Sequence, residues 1–347
     1  MSEILVTGGN GLLGRHLVPE LQRRGDTVRV LALPDEDTSW LEQRGVPLLR
    51  GDVKEPRTLA APMAGVSAVV HLAAMIGVWR PMAEYRAVNV AGTQNVCRAA
   101  LTAGVSRVVH VSSLIVYGMD LGVAAREDTP LRPLREPYSV SKAEGDLAVQ
   151  QMISEDGLPA VIVRPGTFFG PGDRLNFGRI ADRLRTGSAV VIGRGHNAIP
   201  WVYVTDLMQG ILLALDHPDA VGRIYNIGND SPLTQLELIE AIADEIGAKP
   251  PRRHLPYRAA HSAGWLAEGV ARATRGRIPP PVTRHGVMLY GADNRHSIDR
   301  ARAELGYSPA VPLRDGVSVA AKWYLEDLSA GPGSRPAPPA PADEARV

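Results

Sequence analysis

Cysteine, aromatic residues and surplus charge are all scarce in this chain. One cysteine in 347 residues, Cys97, cannot close an internal disulfide, which excludes a disulfide scaffold. As a lone free thiol it reads as a small buried hydrophobe. Thirty-eight Lys and Arg against 37 Asp and Glu leave a formal net charge of +1. No bulk field therefore draws in nucleic acid or an anionic membrane; only a local basic patch would do so. No run approaches the roughly 18–20 apolar residues of a membrane span. No leader of basic and then apolar residues precedes Ile4-Leu5-Val6, so no signal peptide is expected. With 45% hydrophobic and 22% charged residues the chain is not disordered throughout. It reads as soluble, compact and cytoplasmic, one large domain or two closely joined, with a small-molecule substrate, no nucleic-acid partner and no metal site.

What is present is an alternation of strand and helix. Strands are expected at Glu3–Thr7, Thr27–Leu33, Val46–Arg50, Ala68–Leu72, Arg107–Ser113 and Pro159–Arg164. Helical spacing covers Gly11–Arg24, Ala83–Ala103 and Ser139–Ser154. Near-continuous Val/Ile/Leu strands separated by helices predict right-handed crossovers and an α/β, doubly wound parallel sheet. From Ser329 the sequence turns to SAGPGSRPAPPAPADEARV, too rich in Pro and Ala to bury a core, so 329–347 is expected to be a disordered tail.

Between the first strand and first helix lies Thr7-Gly8-Gly9-Asn10-Gly11-Leu12-Leu13-Gly14. Glycines there allow a tight turn and bring backbone N–H groups close to a pyrophosphate at a helix N-terminus. TGGNGLLG resembles the glycine loop of the extended short-chain dehydrogenase/reductases, and further matches follow in order. They are Gly51-Asp52-Val53, His71-Leu72-Ala73-Ala74, Asn89-Val90-Ala91-Gly92-Thr93, Val111-Ser112-Ser113, Tyr138-Ser139-Val140-Ser141-Lys142, and Arg164-Pro165 with Phe169-Gly170-Pro171-Gly172. The resemblance covers about residues 3 to 325. It implies a Rossmann domain over 1–165 and a smaller, partly interleaved C-terminal α/β substrate lobe over 166–328. It also implies a homodimer through the Ala83–Ala103 and Ser139–Ser154 helices. The cofactor contacts it implies are Gly8, Asn10, Gly11, Leu12, Leu13, Gly14, Asp52, Val53, Leu72, Ala73, Ala74, Asn89, Val111, Ser112, Tyr138, Lys142 and Pro165.

Tyr138 and Lys142 stand at i and i+4, on one face of a helix. A phenol with a reference pKa of about 10 needs help to act as a base near neutral pH, and a cation close by favours the tyrosinate. Lys142 is expected to supply it and to hold the nicotinamide ribose. Ser113 is expected to hydrogen-bond the substrate oxygen, with Tyr138 as general acid/base.

After the second strand, Ala32 stands where an NAD-type Asp is usual and Leu33 where an NADP-type Arg is. Asp35 is the candidate for the ribose, which favours NAD. NADP is not excluded, with Arg15 or Arg29 to serve it. Pro200-Trp201-Val202-Tyr203-Val204-Thr205-Asp206 resembles the family's RDFxYVDD strand but has Ile199 where nucleotide-sugar enzymes place an Arg. Leu114-Ile115 lacks the acids that dehydratases carry. The segments Pro279–Arg284, Asn294–Arg302 and Leu305-Gly306-Tyr307 resemble the 3β-hydroxysteroid/sterol-carboxylate dehydrogenase and dihydroflavonol-reductase branch. That resemblance implies hydride transfer to or from a secondary alcohol or ketone on a bulky apolar substrate, sterol-, flavonoid- or polyketide-like. Met75, Ile76, Trp79, Ser113, Thr167, Phe168 and Trp201 are the expected contacts. The alternative is a nucleotide-sugar 4-epimerase with tightly bound NAD and the same Ser-Tyr-Lys set. Trp265, Leu266 and Val270 recur at helical spacing within His254–Arg275, as a helix of the substrate lobe, a lipophilic lid or a membrane-facing helix.

Overall fold

Six parallel strands form in the first half, where the apolar runs place them: β1 (Glu3–Thr7), β2 (Thr27–Ala32), β3 (Leu48–Arg50), β4 (Ala68–His71), β5 (Arg107–Val111) and β6 (Ala160–Pro165). The computed structural model describes residues 2–77, 80–274, 277–278 and 280–330. A seventh strand, Ile224–Ile227, comes from the second half and pairs in parallel with β6, Tyr225 opposite Val163. The sheet order is Ile224–Ile227, β6, β5, β4, β1, β2, β3. Chain direction through the sheet therefore reverses between β1 and β4, and a crevice opens at their carboxyl ends.

Both faces of the sheet are covered. On one, Val6, Val30, Val70 and Val163 pack with Leu17 and Leu21 of the Leu12–Arg23 helix and with the Val204–Asp216 helix. On the other, Leu5, Val69, Val108 and Ile162 pack with Val96, Cys97 and Ala100. Cys97 is fully buried there, and burial lifts its thiol pKa to about 12. In the second half Thr167–Phe169 pairs with Trp201–Tyr203, and Val191–Ile192 with His254–Leu255.

Two local departures matter. The expected Ala83–Ala103 helix is broken by a π-helical turn over Ala87–Gly92, an insertion that often marks a functional site. The last helix, Leu313–Ala330, runs two residues into the expected tail, because the first breakers are Gly331 and Pro332. Residues 331–347 lie outside those described. Among the described residues no helix is long and apolar enough to cross a membrane.

Candidate functional site

The crevice deepens into a cavity of about 790 Å³ that runs from the glycine loop to the second half of the chain. Its floor is made by strand ends: Thr7 and Gly8 after β1, Leu72 and Ala73 after β4, Ser112 and Ser113 after β5. Gly8 has φ +69°, and a Cβ there would lie 2.7 Å from Ala73 N, so only glycine lets the first turn pass β4. At Gly14 an added Cβ would collide with the Gly9 backbone, where helix and turn touch. The helix N-cap is Gly11, which offers no capping side chain. The first-turn amides of Leu12, Leu13 and Gly14 are thereby left for a ligand, and these residues line the cavity. The shape and chemistry fit a dinucleotide pyrophosphate. His16 ties the helix to the opposite wall through Pro171 O at 2.9 Å.

Tyr138 and Lys142 share one face of the Pro137–Asp156 helix, whose start is fixed by Pro137 and by Glu136 accepting from Tyr138 N (2.9 Å) and Ser139 N (2.6 Å). Ser113 follows β5, and its hydroxyl faces the Tyr138 hydroxyl and favours the tyrosinate. Burial pushes the Tyr138 pKa up to about 12, against the pull of Ser113. The lysine is placed otherwise than expected: Lys142 Nζ donates to Val111 O at 2.9 Å. In this arrangement Ser113, not Lys142, favours the tyrosinate. Burial pulls Lys142 down to about 8, with Asp146 one turn on acting to raise it. Beneath Lys142 lie His71 and His110, stacked with ring centroids 5.4 Å apart. His71 Nδ1 meets Thr7 Oγ1 at 2.7 Å, and its Nε2 meets Thr93 Oγ1 at 3.0 Å. Burial, reinforced by the Lys142 charge, drops His71 to about 3 and His110 well below its usual value. Both rings are therefore neutral.

Of the residues expected to touch the cofactor, Asp52, Val53, Ala74, Val111, Ser112 and Pro165 all line the cavity with the glycines and the Tyr–Lys pair. Asn10, Asn89 and Asp35 do not. Asn10 turns away and binds Glu36 Oε1 (2.9 Å), Asp37 O and Arg15, bracing the loop from behind. Asn89 sits in the π-helical turn, buried, and clamps both backbone groups of Met75 (2.8 and 3.1 Å) and Ser141 Oγ (3.0 Å). It thus joins the loop after β4 to the Tyr138 helix. Asp35 is exposed and outside the cavity; its neighbour Glu36 lines the wall. The one-residue difference arises because Leu33 N donates to Glu36 Oε2 (3.1 Å) and Arg50 grips Leu33 O and Glu36 O, curling the loop inward at Glu36. Neither arginine considered for NADP lines the cavity: Arg15 stacks over Trp40, and Arg29 is paired with Glu3 at the far end of β1.

On the other side, Met75, Ile76, Thr167 and Phe168 line the wall as expected. Trp201 does not: it is 1% exposed and packs 4.6 Å from Phe169 in the core, while Pro200 beside it reaches the cavity. Trp79 lies outside the described residues. The sequence reading missed a wall of tertiary origin: His285, Leu289 and Asn294 from the C-terminal part, Met119 and Leu121 from the loop after Tyr117, and Leu175. His285 sets its ring edge-on to Tyr138, centroids 6.2 Å apart, and faces Glu136 at 3.5 Å. No periodicity or motif announces it. The signals were weak ones: a lone His in the C-terminal segment and the Asn294 stretch of the family resemblance.

Comparisons with known proteins agree with this arrangement. The NAD dependent epimerase/dehydratase family matches residues 4–228. The chain is 31% identical over 325 residues to a 2-alkyl-3-oxoalkanoate reductase of Stenotrophomonas maltophilia, covering 91% of this chain and 97% of that one. It is 30% identical over 317 residues to a 4-hydroxy-2-methyl-3-oxo-4-farnesyl-3,4-dihydroquinoline-1-oxide ketoreductase of Stigmatella aurantiaca, with 90% and 94% covered. Among solved structures, a dTDP-glucose 4,6-dehydratase of Streptomyces venezuelae with NAD bound superposes with a TM-score of 0.77 at 29% identity, over 94% and 98% of the two chains. The chain therefore belongs to the NAD-dependent epimerase/dehydratase family and is an enzyme of that family, with NAD as its cofactor.

Proposed function

We propose that the protein is an oxidoreductase that interconverts a secondary alcohol and a ketone on a bulky, largely apolar substrate. One observation carries this reading: the Ser113–Tyr138 pair opens onto a cavity whose lining includes Met75, Ile76, Leu114, Phe168 and Leu289. Such a wall suits rings or alkyl chains, while His285, Asn294 and Arg295 of the same lining offer polar contacts to an oxygen-bearing end of the substrate. The reductase from Stenotrophomonas and the ketoreductase from Stigmatella act, by their names, on ketones with apolar substituents.

In this reading the Leu12–Gly14 amides hold the pyrophosphate, and Asp52 and Val53 take the adenine end. Glu36 takes the adenosine ribose hydroxyls, where its carboxylate repels a 2′-phosphate and selects NAD over NADP. NAD supplies or takes up a hydride at the nicotinamide C4. Ser113 donates a hydrogen bond to the substrate oxygen and orients it beside Tyr138. In reduction the Tyr138 hydroxyl gives its proton to that oxygen; in oxidation the tyrosinate removes it. Lys142, steadied by Val111 O, would hold the nicotinamide ribose. The family resemblance adds a cytoplasmic homodimer through the Tyr138 helix and the Thr93–Thr102 helix, and Leu147, 52% exposed, lies on the first of these.

The test is NADH consumption by the purified protein with long-chain 3-oxo acids and 3-ketosteroids. Tyr138→Phe should cut kcat by about 10²–10⁴ while NADH still binds. Unchanged turnover in that variant would refute the assignment. The dehydratase neighbour favours a second reading, a nucleotide sugar processed without net change in NADH. Against it, fully buried Ile199 and cavity-lining Pro200 stand where a diphosphate-gripping Arg and its neighbouring acid are expected.

A further inference from the structure

The charge balance of the whole chain hides a strong local imbalance. Residues 249–292 hold eight Lys and Arg and a single acid, Glu268, a net +7 in a chain that totals +1. Glu268 faces inward, 2% exposed, where it receives Arg284 N and Nε (both 2.8 Å) and Arg272 (3.1 Å). Within 249–292, no acidic side chain is exposed among the described residues.

This segment is a helical hairpin. The Tyr257–Ala273 helix packs on the Arg284–Gly291 helix through Gly264, where a Cβ would lie 2.9 Å from Arg284 N, and through Glu268. Ala260, Gly264, Glu268 and Ala271 are its buried face. At 100° per residue the opposite face carries Leu266, with Trp265 and Val270 to either side and small Ser262, Gly269 and Ala273 between them. Trp265 is 57% exposed, Leu266 60% and Val270 51%, and Ile278 just beyond the helix is 55% exposed. Arg252, Arg253, Arg258, Arg272 and Arg277 of the same segment are exposed as well. An apolar strip with an indole at its edge, on a segment rich in exposed guanidinium groups, has the chemistry of a helix that lies in a bilayer interface.

We propose that this face docks the enzyme on an anionic lipid surface, with Trp265, Leu266, Val270 and Ile278 inserted at headgroup depth and the arginines on lipid phosphates. Charge complementarity sets the occupant. A second copy of this chain would bring a second +7 segment against the first, and so like charge against like. The hairpin also explains why docking is useful. Its other helix carries His285 and Leu289, which line the cavity, so the lipid-facing helix and the cavity wall belong to one unit. An apolar substrate dissolved in a membrane then has a short path to Tyr138. The inference rests on this surface alone and stands or falls apart from the reaction proposed above.

The test uses the full chain with two vesicle preparations, phosphatidylcholine alone and phosphatidylcholine with roughly one-third phosphatidylglycerol, in sedimentation at low and high salt. Binding is expected on the anionic vesicles at low salt, falling steeply with added salt as the Debye length shortens. Exchanging Arg252, Arg253 and Arg258 together for Gln should weaken partitioning roughly fivefold per charge, about a hundredfold in all. Trp265→Ser with Leu266→Ser should abolish it, while melting temperature and NADH binding stay as in the wild type. In the wild type, brominated lipid should quench fluorescence that Trp265→Phe removes. Three outcomes would overturn the proposal: no sedimentation with either vesicle, equal binding by the Ser double variant, or self-association of the wild-type chain that the double variant loses.

Discussion

Asp146→Asn isolates the buried ion pair that fastens the Tyr138 helix to the sheet. Arg164 and Asp146 are 1% and 0% exposed and meet through two hydrogen bonds, at 2.9 and 2.7 Å. Arg164 Nη1 also donates to Tyr117 Oη at 2.7 Å, and Tyr117 donates to Asn226 Oδ1 at 2.8 Å. Asn226 lies on the seventh strand and holds Ala125 O and Ser297 O, so the network runs from the Tyr138 helix to the C-terminal part. Replacing the carboxylate by an amide leaves a full positive charge in a dry interior, which costs about 3–5 kcal/mol. With an unfolding entropy near 2.1 cal/mol/K per residue over about 330 residues, that is a fall in Tm of ~4–7 °C. Calorimetry on Asp146→Leu, on Arg164→Met and on the two together completes a double-mutant cycle beside Asp146→Asn. The double variant should recover most of the loss, because two apolar residues leave no unpaired charge. The reasoning fails if the single variant loses less than about 1 kcal/mol, or if the two losses simply add. Asp146→Asn should also lower the Lys142 pKa further, since Asp146 is the group that raises it against burial.

Three other outcomes follow from the same geometry. Ser113→Ala removes the hydroxyl that favours the tyrosinate, so the rise of kcat/KM with pH for alcohol oxidation should move to higher pH. Glu36→Arg should shift the NADH/NADPH ratio of kcat/KM toward NADPH by about tenfold or more, whereas Asp35→Ala should leave it unchanged. His16, His71, His110 and His296 all have folded-state values below the ordinary 6.5. They contribute stability that is present above 6.5 and lost as pH falls below it, because only the unfolded chain takes up the protons. Urea midpoints measured downward from neutral pH should show a loss approaching 1.4 kcal/mol per pH unit per histidine.

The sheet was legible because buried parallel strands must be apolar on both faces, and Ile4-Leu5-Val6 or Val108-Val109 admit few other readings. The seventh strand, Ile224–Ile227, escaped because its four residues include Tyr225 and Asn226, polar groups satisfied by distant partners: Glu304 for the first, and Tyr117, Ala125 and Ser297 for the second. The glycine loop and the Ser113, Tyr138 and Lys142 positions were legible for a different reason. Backbone approach and an i, i+4 helix face are local constraints, and a sequence states local constraints openly. Asp35 and Trp201 mark where that ends. Whether Asp35 or Glu36 faces the cavity depends on Arg50, fifteen residues from Asp35 in sequence, and whether Trp201 or Pro200 meets it depends on Phe169 across the ribbon.

Charge obeyed the same division between local and global. The total of +1 correctly excludes a bulk field, yet it is an average over a segment of +7 and a remainder that is net acidic. What turns that segment into a surface is the burial of its only acid: Glu268 satisfies Arg284 and Arg272 from within the hairpin and leaves Arg252, Arg253 and Arg258 outside. The same contact that positions the His285 helix against the cavity thereby leaves the outward face without an acid. Breaking it with Glu268→Gln should loosen the Arg284–Gly291 helix against the cavity and raise KM for apolar substrates through the displaced wall. Vesicle binding should not weaken, since the variant removes a negative charge from a basic segment. A variant that lost lipid binding and kept its KM would contradict that coupling, because the surface arginines would then depend on Glu268 and the cavity wall would not.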